Sequence, residues 1–373
     1  MRIEHIELRQ IGLALKEPFQ TSFGVTRARR ILLVIVEGEG LTGYGECVAG
    51  EGPWYSSETV ETARHILADF LVPAVLGKTV AEPSELTACF APVRGHNMAK
   101  AALEMAGWDL LAKAKGVSLS HFLGGSRERI ESGVSIGIQP RVEDLLTRIE
   151  GYLAQGYRRV KVKIQPGWDV DVVAEIRRHL PTVPLMLDAN SAYTLADLPT
   201  FRELDNYDLM MIEQPLGYED IIDHATLQRQ LRTPICLDES IHSPEDGRKA
   251  IESGACRVIN IKAGRLGGLY PARQLHDVCQ ERGIPVWCGG MLETGIGRAH
   301  NVALSTLPNF RLPGDVSASD RYYAQEIITS PFRLSPDGTI PVPQGPGVGV
   351  EVDRAMLERL TLHKETFAGA NHH

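Results

Sequence analysis

Five charged residues recur along the chain at a nearly fixed interval. Lys163, Asp188, Glu213, Asp238 and Lys262 are separated by 25, 25, 25 and 24 residues, and each stands at or near the end of a short apolar run: RRVKVKI, PLMLDAN, DLMMIEQP, PICLDES and RVINIKAG. That interval is the length of one strand plus one helix of about 10 to 15 residues, the repeat of a parallel sheet built from strand, helix and strand. Adding GVSIGI, PVWCGGM and FRLPGDV gives eight expected strands, hence an α/β fold with a closed (β/α)8-type barrel over residues 126–325. The helices between them are expected at residues 140–155, 169–179, 195–204, 218–230, 243–253, 268–282 and 297–305. A doubly wound open sheet usually begins with a glycine-rich phosphate turn, and no G-x-G-x-x-G follows a strand here. In a barrel the C-terminal strand ends form one rim, where active sites of this fold are built. The five charged residues should therefore face one pocket.

The first 125 residues are organised differently. IEHIELRQIGLAL and RRILLVIVEGEGLTGYGEC read as hairpin strands, and helical patterns follow at residues 57–76 and 97–115, the second ending at Gly116. Strands first and helices after mark a separate α+β unit, expected to cap the barrel from residues 1–125. Residues 326–373 are extended, rich in Pro and Gly, and expected to return to that unit. The closing pair His372 and His373, tag or natural tail, is set aside.

Composition excludes several classes. With 43% hydrophobic and 23% charged residues, the chain is not disordered, collagen-like or a simple coiled coil. A formal charge of -8 without a long single-sign run argues against a nucleic-acid partner. No apolar N-terminal core of about 7 to 15 residues precedes a cleavage site, and no run reaches the roughly 18 apolar residues of a membrane span. Six scattered cysteines without a CxxC pair read as buried free thiols. The expectation is a soluble, cytoplasmic protein with no membrane contact.

Any one of the rim carboxylates could be a helix cap or a solvated loop residue. Three on one rim repel one another and must bind a cation or hold protons at raised pKa values. An all-oxygen set favours Mg2+, or Mn2+, over Zn2+. Lys161 and Lys163, two apart on one strand, aim to the same side, and Lys262 comes from roughly the opposite side of the ring. A lysine base working near neutrality needs its pKa lowered by about three units from ~10.4. Neighbouring cations, with Arg265 beside Lys262, are expected to supply part of that. A divalent ion flanked by two amines suits abstraction of a proton α to a carboxylate, a pairing known from the enolase superfamily. A Schiff-base aldolase using Lys163 would leave the carboxylates without a purpose, and a non-catalytic metal-binding barrel would leave the paired lysines without one.

KVKIQPGWD, LMLDANSAYTLAD, IEQPL, CLDESI, INIKAGRLGG and WCGGMLETGIGRAHN resemble the o-succinylbenzoate synthase and N-acylamino acid (N-succinylamino acid) racemase family, in the muconate-lactonizing-enzyme-like branch of the enolase superfamily. The likeness runs from QTSFGV through LPGDVSASDRYY to VPQGPGVGV. It implies that Asp188, Glu213 and Asp238 bind Mg2+, that Lys163 and Lys262 are acid/base groups on opposite faces, and that Lys161 helps hold the substrate carboxylate. Asn190, Glu239 and Arg265 would support these groups from behind. The pocket would draw on Phe19, Phe23, Trp54, Tyr55, Met291 and Glu293, with the aromatic residues and Met291 excluding water. Gln165 replaces a family lysine and is expected beyond the rim. Asp315 is followed by Val316 and Ser317 rather than completing the D-x-D of dipeptide epimerases, which argues against a free-amine dipeptide. The resemblance implies a homo-oligomer acting on a small carboxylate, either by the dehydration of menaquinone biosynthesis or by racemisation, or both. A cycloisomerase or dipeptide epimerase of the same branch is the alternative.

Overall fold

The computed structural model describes residues 1–369, so His372 and His373 lie outside the described residues. Strands β1 (His5–Thr21), β2 (Gly24–Gly38) and β3 (Leu41–Cys47) form an antiparallel sheet. The run ILLVIV in β2 is apolar throughout because both faces of this sheet are buried. Ile31, Leu33 and Ile35 pack with the barrel core, while Leu32, Val34 and Val36 pack with the cap helices, as a period of two requires. The helix Asn97–Ala114 lies so close to β3 that a Cβ on Gly45 would strike the Ala102 carbonyl oxygen. The helical pattern at 57–76 resolves into Val60–Ile66, a wide turn at Leu67–Leu71 and Val72–Val75. Pro73, having no N–H, cannot continue the regular ladder there.

Short β4 (Arg129–Glu131) precedes seven parallel strands: β5 (Val134–Ile136), β6 (Val160–Lys163), β7 (Leu185–Asp188), β8 (Ile212–Glu213), β9 (Ile235–Leu237), β10 (Val258–Ile261) and β11 (Val286–Cys288). The eighth expected strand, FRLPGDV, is not regular. Single parallel bridges join Phe310 to Val286 and Gly314 to Ser132, and the Asp315 N–H donates to the Cys288 carbonyl at 2.8 Å. Pro313 lacks the donor a ladder needs at that point, so the ring closes through an irregular eighth segment. Beyond it, β12 (Thr339–Pro341) pairs with β4, and β13 (Thr361–Ala368) adds to the outer edge of β1.

Two buried carboxylates of the N-terminal unit fasten it to the barrel. Glu104 accepts from the Leu269 and Tyr270 amides at 2.8 Å and from the Trp108 indole at 2.8 Å. Glu46 accepts from the Thr294 and Gly297 amides at 3.1 and 3.0 Å. Each thereby satisfies orphan N–H groups at the start of a barrel helix, Leu269–Glu281 or Gly295–Leu304. Burial pushes both carboxyls up to about 7, against the opposing effect of these bonds. No described helix is long and apolar enough to cross a membrane.

Gly45→Ala is expected to cost about 1 to 3 kcal/mol by overpacking, read as a lower urea midpoint. Gly151→Ala, in open space within the helix Val142–Ala154, should instead gain up to about 1 kcal/mol from helix propensity.

Candidate active site

The β1–β2 hairpin reaches over the C-terminal ends of the barrel strands. The Ile138 N–H donates to the Gln20 carbonyl at 3.0 Å, and the Ser22 hydroxyl donates to the Asn190 carbonyl at 3.3 Å. Between hairpin and rim lies a cavity of about 260 Å³, lined from above by Phe19, Phe23, Arg27, Trp54 and Tyr55 and from below by Lys161, Lys163, Asn190, Lys262, Met291 and Asp315.

Lys163, Asp188 and Glu213 end β6, β7 and β8, and Asp238 and Lys262 each follow their strands by one residue. Counting β5 as first, the two lysines stand at the second and sixth of eight ring positions, across from each other, with the carboxylates on the strands between. Register pairs Lys163 with Asp188 and Asp188 with Glu213. Two carboxylates therefore lie side by side in a buried layer, and cations answer them. Lys161 Nζ lies 3.1 Å from both Asp188 Oδ2 and Glu213 Oε2, and Lys163 Nζ is 2.6 Å from Asp188 Oδ2. Lys262 Nζ is 2.7 Å from Asp238 Oδ2, and the Arg265 guanidinium contacts the other Asp238 oxygen.

The chain turns sharply behind these groups, with left-handed φ of 42° at Asn190, 63° at Ser191 and 37° at Gln214. The turn after β7 brings Asn190 Oδ1 within 2.7 Å of Lys163 Nζ, while its Nδ2 donates to Glu239 at 2.9 Å. Glu239 thus orients Lys163 through Asn190. The turn after β8 lets Gln214 Oε1 accept the Asp238 amide at 3.0 Å.

Burial pushes the Asp188 carboxyl up, but Lys163 and Lys161 outweigh it and hold the group below its ordinary value. Glu213 is raised by burial and by the Asp188 charge. The lowering expected of Lys262 from its neighbour Arg265 is not what the structure holds. Burial depresses Lys262, yet Tyr55, Glu213 and Glu239 outweigh it and raise the ammonium above its usual value. Lys161 is raised likewise, by Asp315, Glu213 and Asp188 against burial. Arg265 is occupied elsewhere: its guanidinium holds Asp238 and donates to the Ile241 and Asn260 carbonyls at 2.6 Å.

Tyr55, expected only to exclude water, donates its hydroxyl to Asp238 Oδ1 at 2.9 Å, accepts from Lys262 at 3.0 Å, and lays its ring 4.4 Å from that ammonium. Met291 places its sulfur 3.4 Å from Lys262 Nζ, and Phe19 packs edge-on against Tyr322 at 6.0 Å. Phe23 and Trp54 line the mouth but are 40% and 70% exposed, so they do not shield the lysines here. Glu293 does not line the main cavity. It is buried and accepts from the Met291 amide at 2.8 Å and Asn301 at 2.9 Å, shaping the loop that carries Met291. Gln165 lies past the end of β6 in a turn with Trp168.

Sequence reasoning missed two polar residues beneath the cavity, Arg159 and Asn260, and the pairing of a third, Asp315. Asp315 lies 2.6 Å from Lys161 Nζ and 2.7 Å from the Arg159 guanidinium, and Asn260 donates to Glu213 at 2.7 Å. Both missed residues were accessible to the alternation rule, since Arg159 is two residues before Lys161 and Asn260 two before Lys262.

Among the described residues, no three His, Cys, Asp or Glu side chains stand gathered as a ready metal cage. The rim oxygens are held by ammonium and guanidinium groups, with which a divalent ion would compete. The donor set nevertheless fits a hard ion. It is all oxygen and buried, the adjacent Asp188 and Glu213 repel each other, and Glu239 Oε2 is buried without a partner.

Residues 5–124 match the mandelate racemase / muconate lactonizing enzyme N-terminal domain, and residues 144–356 the enolase C-terminal domain-like family. An o-succinylbenzoate synthase of Geobacillus kaustophilus is 56% identical over 98% of both chains. An N-succinylamino acid racemase of Thermus thermophilus is 51% identical over 97% of this chain and 98% of its own. A solved enolase-superfamily member from Listeria innocua, 43% identical, superposes with a TM-score of 0.95 over 98% of this chain and 99% of that one.

Asp315→Asn is expected to destabilise the fold by about 3 to 5 kcal/mol at neutral pH, because it strips a carboxylate from two buried cations. Burial raises the Asp315 carboxyl, but Arg159 and Lys161 outweigh it and hold it well below its ordinary 3.8. A lowered folded pKa gives stability that is full above the unfolded value and lost as pH falls through the folded one. The difference between wild type and variant in urea unfolding should therefore narrow below about pH 4.

Proposed function

The chain belongs to the mandelate racemase / muconate lactonizing enzyme family of the enolase superfamily, and from this premise we propose that it removes the proton α to a carboxylate, acting as an o-succinylbenzoate synthase, an N-succinylamino acid racemase, or both. The observation that carries this reading is the pair Lys163 and Lys262, lining one cavity from opposite ring positions with three carboxylates on the strands between.

Asp188, Glu213 and Asp238 are the residues that would hold Mg2+, or Mn2+. When bound, such an ion supplies positive charge to the oxygens of the enediolate and so makes the α-proton acidic enough to remove. Lys161, kept protonated by Asp315, holds the substrate carboxylate. Lys163 Nζ accepts the α-proton on one face, steered by Asn190. In dehydration the same ammonium then returns its proton to the departing hydroxide, and Lys262 need only stabilise charge. In racemisation one lysine takes the proton and the other delivers one to the opposite face, so both are obligatory. Lys262 must lose its own proton before it can accept another. Neutralising Asp238 and Glu213 removes part of the field that holds that proton in place. Both Asp315 oxygens are engaged, one by Lys161 and one by Arg159, so the charge of this carboxylate is already answered by two buried cations.

With Mg2+, Lys163→Ala should lose at least about 100-fold in both dehydration of 2-succinyl-6-hydroxy-2,4-cyclohexadiene-1-carboxylate and racemisation of N-succinylamino acids. Lys262→Arg should lose racemisation to a similar degree while keeping much of the dehydration. Normal racemisation by Lys262→Arg would overturn the two-base assignment. Chelation of the divalent ion should abolish both activities, and readdition of Mg2+ should restore them.

A further inference from the structure

Of the charged side chains that line the cavity, only Arg27 makes no hydrogen bond or ion pair among the described residues. Lys161, Lys163 and Lys262 are held by rim carboxylates, and Asp315 is shared between Arg159 and Lys161. Glu51 is paired with Arg30 at 2.6 Å. Arg29, buried one step deeper, spends its guanidinium on the Met291, Val48 and Ala49 carbonyls at 3.0 to 3.1 Å. Arg27 is two residues from Arg29 on β2 and therefore on the same face of the strand, but it reaches the mouth of the cavity and stays exposed. On β1 the pairing is interrupted between Ala14 and Phe19, opposite this point, and the one acid in that interruption, Glu17, is paired with Arg148 at 2.5 Å. Phe23, Val25 and Trp54, all exposed large apolar groups, surround the same mouth.

We propose that Arg27 is the subsite for a second, distal carboxylate, and that it makes this enzyme select dianionic substrates whose other carboxylate sits at the lysines. The inference rests on the reading of the site as an α-proton-abstracting centre. The chemistry fits the groups present. One carboxylate of the substrate must lie at the rim, beside the reacting carbon and the lysines. A succinyl chain carries its second carboxylate away from the reacting carbon, towards the open end. A guanidinium binds a carboxylate through two parallel N–H donors, and a ligand filling the mouth would bring the aromatic side chains around that pair and lower the local dielectric.

The test compares N-succinyl and N-acetyl derivatives of one amino acid, which share the reacting centre and differ in the distal carboxylate. In Arg27→Met the ratio of kcat/KM for N-succinyl over N-acetyl substrate should fall by about tenfold to a hundredfold, chiefly through KM, as expected for loss of a charged hydrogen bond. Arg27→Lys should recover part of the ratio. The fall should persist at about 0.5 M salt, where long-range steering is screened. A ratio unchanged in Arg27→Met, or a fall that vanishes in salt, would overturn the assignment while leaving the reaction reading intact. Turnover of neither N-acyl substrate, nor of the dehydration substrate, by the wild-type protein would reject the reading, and the Arg27 subsite with it.

Discussion

Parallel pairing places Asp188 and Glu213 side by side in a layer closed to water, and the rest of the rim is organised around that repulsion. Two carboxylates so placed cannot both stay ionised without a cation close by. Here the cations are Lys161 and Lys163 from the preceding strand, with Asp238, Lys262 and Arg265 repeating the motif two strands on. A site that needs positive charge between its carboxylates can take that charge from a divalent ion, and an ammonium released from a carboxylate is free to meet a substrate. These buried pairs are the contacts that a divalent ion would displace.

Holding such a site requires a rigid frame on both sides. The N-terminal sheet shares its two faces between two cores, and Glu46 and Glu104 complete the N-termini of two barrel helices from across the domain boundary. One of those helices follows directly on the loop that carries Met291, and Glu293 braces that loop from within. The cavity wall next to Lys262 is therefore fixed by buried carboxylates outside the chemistry, while the β1–β2 hairpin, with Phe23 and Val25, forms part of the exposed mouth.

Much of this was legible in the sequence, because barrel strands buried on both faces read as short apolar runs and the rim charges fall one repeat apart. The seven regular strands and the five charged rim residues were visible for that reason. The eighth strand was not, since FRLPGDV is apolar enough to suggest a strand while Pro313 prevents one. The short helices Pro83–Phe90 and Arg354–Leu360 carry too few turns for their periodicity to stand out. The rise of Lys262 has no local signal: the sequence places Arg265 three residues on but does not show that its guanidinium is spent on Asp238. Asp315 stands in the sequence only as an incomplete D-x-D, and its pairing with Lys161 and Arg159 depends on a ring closure that no local pattern encodes. Arg27 resembles any exposed arginine until the partners of every other cavity charge are known.

The central claim is that one cavity presents two lysines to the two faces of a single α-carbon. It is tested most directly by solvent deuterium exchange, with Mg2+ present, of N-succinyl L- and D-amino acids in the Lys163→Ala and Lys262→Ala proteins, followed by proton NMR. Each variant should wash out the α-proton of one enantiomer without racemising it, and the two variants should prefer opposite enantiomers. Exchange of both enantiomers by either variant, or the same preference in both, would contradict the account.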